Sequence, residues 1–490
     1  MTFLTYPNSL FIAGEWAPTE AVEDNLNPAT EKVIGTAPVG SSAMAHDAIA
    51  AAREAFDKGP WPTMKASQRQ QVLQRFLDAL RAREQEICSL IVAEGGATVA
   101  LARTLQFATP IRIAQHIVDL CDRDPVTALV PELVPTPQGS WLASGVSVRE
   151  PVGVAAVITP YNVPFFLNVA KTIPALAAGC TVVLKPSPFT PFSALILGEV
   201  AHAVGLPKGV LNIITGGPEV GHILTSDERV DLVSFTGSDR VGEAIMAQAA
   251  PSLKRVILEL GGKSAMIVRQ DADLDAAARD GLRGFTAHCG QGCQLLTRHL
   301  VHNAVHAAYV EKVAAMAKAL VIGDPADPKT QVGPLISASQ RGRAEHYVEI
   351  AMAEGAQLVV GGRRPADLGR GFFYEPTLFD QVQNGMTIAQ EEVFGPVGVV
   401  IGFDTDDEAV AIANDSRFGL SGAVHTADAG KGFELALRLR TGGVALNGGG
   451  GGIMSAAPFG GIKRSGFGRE FGLEGLNEYT YLKAIAFHAA

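Results

Sequence analysis

Cysteine is scarce in this chain. Its 490 residues hold five, Cys88, Cys121, Cys180, Cys289 and Cys293, an odd number without the spacing of a disulfide framework. A small scaffold stapled by disulfides is excluded. Free thiols in a reducing compartment are expected, hence a cytoplasmic location. Basic residues are in deficit as well, with 40 Lys and Arg against 50 Asp and Glu and a formal net charge of -10. The cations are spread among the acids and form no clustered basic face, so no nucleic-acid partner is expected. Long apolar runs are missing too. Gly, Pro or a charge breaks each one before the roughly 18 residues that a membrane span needs. Met1 to Asn8 lacks the basic start and apolar core of a secretory signal. No internal repeat suggests a solenoid.

What is present is the composition of a packed globular protein, 47% hydrophobic and 18% charged. A chain this long exceeds what one core usually covers, so two or three domains are expected. From Ser42 to Val92 the pattern is helical. Ala45, Ala48, Ile49 and Ala52 share one face, and Val72, Phe76, Leu77 and Leu80 share another beyond Gly59-Pro60. Pro131, Pro135 and Pro137 then fall close together before Trp141, a composition that reads as an extended arm.

Beyond Pro151 the rhythm changes. The apolar, β-prone runs at 152–158, 181–184, 210–214 and 232–235 alternate with helical stretches, which indicates a parallel α/β sheet buried on both faces. A second alternation runs from Ser264 to about Ala445, with the junction near Leu258-Glu259-Leu260-Gly261-Gly262. Ligands of such sheets bind beyond the carboxyl ends of the strands. The polar residues following each strand, Asn162, Lys185 and Ser238, are therefore candidates.

Three further positions carry chemistry. Cys293, in Gly290-Gln291-Gly292-Cys293, is a thiol that a carbonyl carbon could approach, and its thiolate would be a strong nucleophile. Alone it reads more readily as a buried structural cysteine. Glu259, between two leucines, would have the raised pKa of a general base, or else be an ordinary acid paired with Lys263. Asn162, held between Pro160 and Pro164, could donate to a developing oxyanion, or simply make a turn.

Together these segments are more specific. Pro160-Tyr161-Asn162-Val163-Pro164-Phe165, Phe235-Thr236-Gly237-Ser238, Leu258-Glu259-Leu260-Gly261-Gly262-Lys263, Gly290-Gln291-Gly292-Cys293, Glu391-Glu392-Val393-Phe394-Gly395-Pro396 and Pro458-Phe459-Gly460-Gly461 resemble, in order, the signature segments of the aldehyde dehydrogenase superfamily. The resemblance runs from about Phe11 to the C-terminus. It implies a Rossmann-type cofactor domain (1–121 and 150–260), an α/β catalytic domain (261–470) and a small β oligomerisation arm (122–149 and 478–490). It implies that Cys293 attacks an aldehyde, that Asn162 and the Cys293 N–H hold the oxyanion, and that Glu259 activates the water that hydrolyses the thioester. For the cofactor, NAD or NADP, it implies Lys185 and Ser187 near the adenosine ribose. Gly237 and Ser238 open a helix toward the pyrophosphate, while Glu392 and Phe394 lie at the nicotinamide ribose. The Glu259 position favours release of a carboxylic acid over acyl transfer to coenzyme A. The presence of all three catalytic groups argues against a silent, purely binding or structural relative. A homodimer or homotetramer is implied as well.

The sequence also departs from the family's pattern. Pro188 stands where NAD-preferring members usually carry an acid, which opens the way to NADP. Tyr161 replaces a frequent Trp. The five glycines Gly448 to Gly452 suggest an adaptable substrate mouth or a plain flexible loop. Ala170 stands where members acting on succinic semialdehyde carry an Arg. With Phe165, Phe166 and Leu167 nearby, an apolar or aromatic aldehyde is expected. Cys289 is close enough to Cys293 for an oxidative disulfide after local rearrangement, although a bystander thiol is the simpler reading. His299, His302 and His306 span a strand, a break and a helix, so no metal site is expected of them.

Overall fold

The computed structural model describes residues 4–123, 125–449 and 453–488. Most of the Gly448–Gly452 run (450–452) lies outside the described residues. The N-terminal helices are amphipathic, as the spacing dictates. Ser42–Asp57 is capped by Ser41, whose hydroxyl accepts from the Met44 N–H, a bond that contributes about 1 kcal/mol. This helix buries Ala45, Ala48, Ile49 and Ala52 completely. In Ala66–Ala82 the buried stripe is Leu73, Phe76, Leu77 and Leu80. Val72 sits one position off that stripe, at its half-buried margin. The segment Ala102–Ala108 is π-helical, a rare winding that is frequent at functional sites.

The apolar runs beyond Pro151 form five parallel strands in the spatial order Leu211–Ile213, Thr181–Lys185, Val154–Ile158, Leu232–Thr236, Arg255–Glu259. Four of these strands are buried along their whole length. A sheet with helices on both faces leaves no solvated side, so continuous apolar runs replace alternation. This order is that of a Rossmann-type sheet, with the switch point between Val154–Ile158 and Leu232–Thr236. The N-terminal hairpin Ser9–Ile12 and Glu15–Pro18 extends one edge. At the other edge Gly466–Phe467, from far along the chain, pairs antiparallel with Leu258 and Glu259.

A second sheet has seven strands in the order Gln357–Val360, Thr377–Asp380, Val397–Phe403, Arg298–His302, Ala265–Val268, Ser421–His425, Gly443–Leu446. Only the first pair is antiparallel. The chain passes from the first sheet to the second between Glu259 and Ala265, so Glu259 stands at the seam. A third sheet projects as an arm. Gly139–Pro151 pairs with Val126–Ala128, Glu132–Thr136 and the C-terminal strand Thr480–His488.

Two of the three histidines have other partners in the fold. His299, in the strand Arg298–His302, bonds the Tyr309 hydroxyl (3.0 Å) and the Leu296 carbonyl (3.0 Å). His306 opens a helix and meets Asp380 at 2.7 Å.

Candidate active site

Asn162, Glu259 and Cys293, far apart in sequence, line one cavity at the seam of the two large sheets. Asn162 follows the first parallel strand. The Pro164 ring begins the helix Pro164–Ala178, where its missing N–H is harmless. The Asn162 side chain is almost completely buried and donates one Nδ2 hydrogen to the Gln291 carbonyl at 3.0 Å. Its backbone carbonyl accepts from Gln106 Nε2 at 3.3 Å, and Gln106 belongs to the π-helical segment. The second amide hydrogen of Asn162 is left for the cavity.

Cys293 is half-buried at the end of a contorted loop. His288, Cys289 and Gly290 have φ of +49°, +54° and +74°, three consecutive left-handed residues. Non-glycine residues in this region cost roughly 1–2 kcal/mol each. At Gly290 a side chain is barred altogether, because a Cβ there would come within 2.0 Å of the Gly395 carbonyl oxygen. The nucleophile loop thus rests directly on the Glu391–Pro396 segment. Gln291, fully buried, ties the loop down through Oε1, which accepts from the Ile336 N–H at 2.9 Å.

Glu259 closes the last parallel strand. It is 1% exposed, and neither carboxylate oxygen has a hydrogen-bond partner among the described residues. Lys263 is not its partner. Burial holds the Glu259 carboxyl well above the ordinary carboxylate range, and the neighbouring charge of Glu470 adds to this against Lys171 and Arg469. Lys171, which is fully buried, contacts Glu470 Oε1 and donates to Ser234 Oγ at 3.1 Å. Ser234 also accepts from the Tyr479 hydroxyl at 3.2 Å. Sequence reasoning missed this buried Lys171–Glu470 pair, whose members lie 299 residues apart. A Lys inside the mostly apolar run of Pro164–Ala178 was the local signal.

The thiol itself is not held as a thiolate. Burial pushes Cys293 far above its usual pKa, and the charges of Glu392, Glu259 and Glu470 push the same way. In the protein alone the sulfur is a thiol, and attack requires a group to take its proton.

Of the three residues expected to shape the substrate pocket, Phe166 and Leu167 line the cavity. Phe165 turns into the core instead and stacks on Phe107 with ring centroids 5.5 Å apart. One helical residue separates a pocket wall from a core side chain.

The cofactor candidates lie around the switch-point crevice. Lys185 ends its strand, is 6% exposed and donates to the Pro186 carbonyl at 3.1 Å. Burial lowers its pKa to about 8. The Ser187 hydroxyl accepts from the Phe189 N–H at 3.2 Å and closes the turn after the strand. Ser238 caps the helix Asp239–Ala249, whose first-turn acid Asp239 is tied off by Arg464 at 2.9 Å. Gly237 does not offer its N–H to a ligand, because that group donates to the Glu259 carbonyl at 3.1 Å. Glu392 accepts from the Gly262 N–H at 3.0 Å, and burial raises its carboxyl to about 7. Tyr161 packs edge-on against Phe394 (6.0 Å) and Phe189 (5.8 Å). A buried ammonium, a helix N-terminus and a buried carboxylate are the kinds of group that fit the ribose and phosphate groups of a dinucleotide.

Comparison with known proteins gives a consistent picture. The sequence profile of the Aldehyde dehydrogenase family matches residues 16–485. The chain is 39% identical over 482 residues to betaine aldehyde dehydrogenase of Bacillus subtilis, covering 97% of this chain and 96% of the relative. It is likewise 39% identical over 480 residues to geranial dehydrogenase of Castellaniella defragrans, covering 97% and 98%. Among solved structures, the NAD+ complex of Mycobacterium tuberculosis aldehyde dehydrogenase superimposes with a TM-score of 0.92 at 41% identity, covering 98% of each chain.

Proposed function

The chain belongs to the aldehyde dehydrogenase family, and from that premise we propose that it oxidises an apolar or aromatic aldehyde to its carboxylic acid with NAD(P), through covalent catalysis at Cys293. The convergence of a thiol, a partnerless buried carboxyl and an amide donor on one cavity carries the proposal. Cys293 adds to the aldehyde carbon, and Glu259, sharing the cavity and with its own proton affinity raised, is placed to receive the thiol proton. The free Asn162 amide hydrogen and the Cys293 N–H stabilise the alkoxide of the thiohemiacetal. Bound NAD(P) supplies the acceptor for the hydride leaving that carbon. Lys185, Ser187 and Ser238 are assigned to its adenosine and phosphate groups, and Glu392 and Phe394 to its nicotinamide side. Glu259, once it has released the thiol proton to solvent, takes a proton from the water that hydrolyses the thioester, and the Cys293 sulfur leaves as the acid forms. The Lys171–Glu470 pair, fixed by Ser234, tunes that carboxyl from behind.

The cavity wall supports an apolar or aromatic substrate without a distal carboxylate. It includes Phe166, Phe459 and Phe471 beside the acids Glu259 and Glu470, and no Trp, Tyr, Lys or Arg among the described residues. A quaternary ammonium group is best recognised by Trp or Tyr faces, and a distal carboxylate needs a cation. Pro188 is exposed beside buried Lys185, so no carboxylate there opposes a 2′-phosphate, and we assign NADP as an accepted cofactor beside NAD. The segments 1–121 and 150–260 are assigned to the cofactor domain and 261–470 to the catalytic domain. The arm shows Val130 (92% exposed), Leu133 and Leu482 to solvent, which supports pairing with a second copy into a homodimer or homotetramer. No helix among the described residues is long and apolar enough to cross a membrane. All five cysteines are unpaired, which fits a cytoplasmic setting.

The test follows reduced cofactor at 340 nm with an aldehyde panel, with NAD and with NADP, with and without coenzyme A, for the wild type and Cys293→Ala. Carboxylic acid is the expected product, at comparable kcat/KM for the two cofactors. Turnover that survives in Cys293→Ala refutes covalent catalysis. A requirement for coenzyme A refutes hydrolysis.

A further inference from the structure

Ile453 lines the same cavity as Cys293 and packs on the apolar cluster of Ile113, Phe166, Leu167, Ala170 and Phe471. Downstream of it the chain is fixed by Gly472, whose N–H donates to the Ser455 carbonyl at 3.0 Å. A Cβ on Gly472 would lie 2.5 Å from the Ala456 carbonyl oxygen, so the two backbones touch there. Upstream, Gly448 to Gly452 bring no side chain that could anchor Ile453. Its anchor comes from another element. Arg112 stands in the first turn of the helix Thr109–Leu120, between the buried Ile111 and Ile113. Its fork of donors grips the segment at two points. Nη2 donates to the Ile453 carbonyl at 2.6 Å, and Nη1 to the Ser455 hydroxyl at 2.9 Å. Among the described residues no other hydrogen bond reaches the Ile453 main chain.

From this clamp we infer that Arg112 is a positioning residue for substrate selection. It acts through Ile453, and the wall it fixes admits short aliphatic aldehydes and turns away those as large as a six-membered ring. The inference rests on the reading of the chain as an aldehyde dehydrogenase and narrows its substrates to the smaller apolar ones. The cavity is about 90 Å³, below the ~150 Å³ apolar cavity that takes up a benzene, so a ring enters only where a wall gives way. The other apolar walls are held more firmly. Phe166, Leu167 and Phe471 are buried in the cluster, and Phe459 exchanges two main-chain bonds with Glu470, at 2.8 and 2.7 Å. Ile453 instead depends on an exposed side chain. Arg112 and Ser455 also line an outer groove with Phe107, Ile111 and His116, which shares no residue with the catalytic cavity. The clamped segment therefore parts the two spaces, and a freed Ile453 has the groove side to retreat to.

The experiment measures kcat/KM for 2-methylpropanal and for cyclohexanecarbaldehyde, alike at the carbon next to the carbonyl and different in bulk. The wild type is expected to favour 2-methylpropanal by roughly tenfold or more. In Arg112→Ala that preference is expected to fall to about twofold or less, through a lower KM for the larger aldehyde. The ratio is taken within each protein, so a general loss of rate in the variant does not enter it. Ile453→Ala is expected to relax the preference in the same way. Adding Arg112→Ala to Ile453→Ala should then change the ratio by less than about twofold, because the wall it would free is already gone. A wild type that does not favour the smaller aldehyde overturns the inference, and that arm needs no variant. A preference that persists in Arg112→Ala overturns it as well. So does an effect of Arg112→Ala that is equally large with and without Ile453. Absence of reduced cofactor with every aldehyde marks instead a failure of the proposed activity, and the inference falls with it.

Discussion

Replacing Asn162 by alanine separates a catalytic role for this side chain from a structural one. The residue has two jobs in the structure, one on each amide hydrogen. The first bonds the Gln291 carbonyl at 3.0 Å, and losing an ordinary hydrogen bond of this kind costs about 1 kcal/mol of stability. The second faces the cavity, where a donor aimed at a developing oxyanion is worth about 2.7–4 kcal/mol, or roughly 10²–10³ in kcat. Water is poorly placed to replace it, because Asn162 is 4% exposed. Asn162→Ala is therefore expected to lower the single-turnover rate of NADH formation by roughly 10²–10³ while the melting temperature falls by only a few degrees. Asn162→Asp keeps the size but removes the donor and adds an acid beside Glu259, so it should be no faster. The assay is stopped-flow absorbance at 340 nm with saturating aldehyde and cofactor, with a thermal melt as the folding control. A rate within about fivefold of the wild type, with normal melting, refutes the oxyanion role.

Other perturbations follow from the same geometry. A Cβ at position 261 would lie 2.4 Å from Glu392 Oε2, so Gly261→Ala should push that carboxylate off the Gly262 N–H and raise the Kd for NAD by about tenfold or more in calorimetry; unchanged affinity removes Glu392 from the cofactor site. Burial holds Glu259 above the usual carboxylate range, so its base form grows as pH rises, and hydrolysis of a preformed acyl-enzyme should accelerate from acidic through neutral to alkaline pH. A flat profile sinks Glu259 as the base. Glu94 is wholly buried, accepts from the Phe192 and Ser193 N–H groups, and is pushed up to about 8 by burial. The folded state therefore keeps a proton that the unfolded chain releases near pH 4.5, and stability falls as pH rises from about 4.5 to 8, by at most about 5 kcal/mol. In Glu94→Gln that slope should flatten, so that the melting-temperature difference (variant minus wild type) grows from pH 5 to pH 9.

The fold was largely legible along the chain because its determinants are local. Apolar runs such as 154–158 and 182–184 alternate with helical stretches, and a parallel sheet covered by helices buries both faces of such strands while satisfying their backbone groups. Cys293, Glu259 and Asn162 stood out only together, as segments in the order of a known family, because each alone also fits a purely structural role; folding brings all three to one cavity. Helix faces were read to within one position. That margin is enough to misplace Val72 against Leu73 and Phe165 against Phe166, because adjacent helical residues point about 100° apart.

What the tertiary structure alone decided is electrostatic and steric, and both depend on sums over residues remote in sequence. The Lys171–Glu470 pair behind Glu259 joins a helix of the first sheet to a segment near the C-terminus. Nothing near either residue announces the other. The sequence marked Cys293 as a candidate nucleophile through its resemblance to a family, yet not that burial and nearby acids raise its pKa, because a pKa is set by desolvation and by the charges that folding gathers around a group. It placed Gly237 at a helix start, but only the sheet register shows its N–H committed to Glu259.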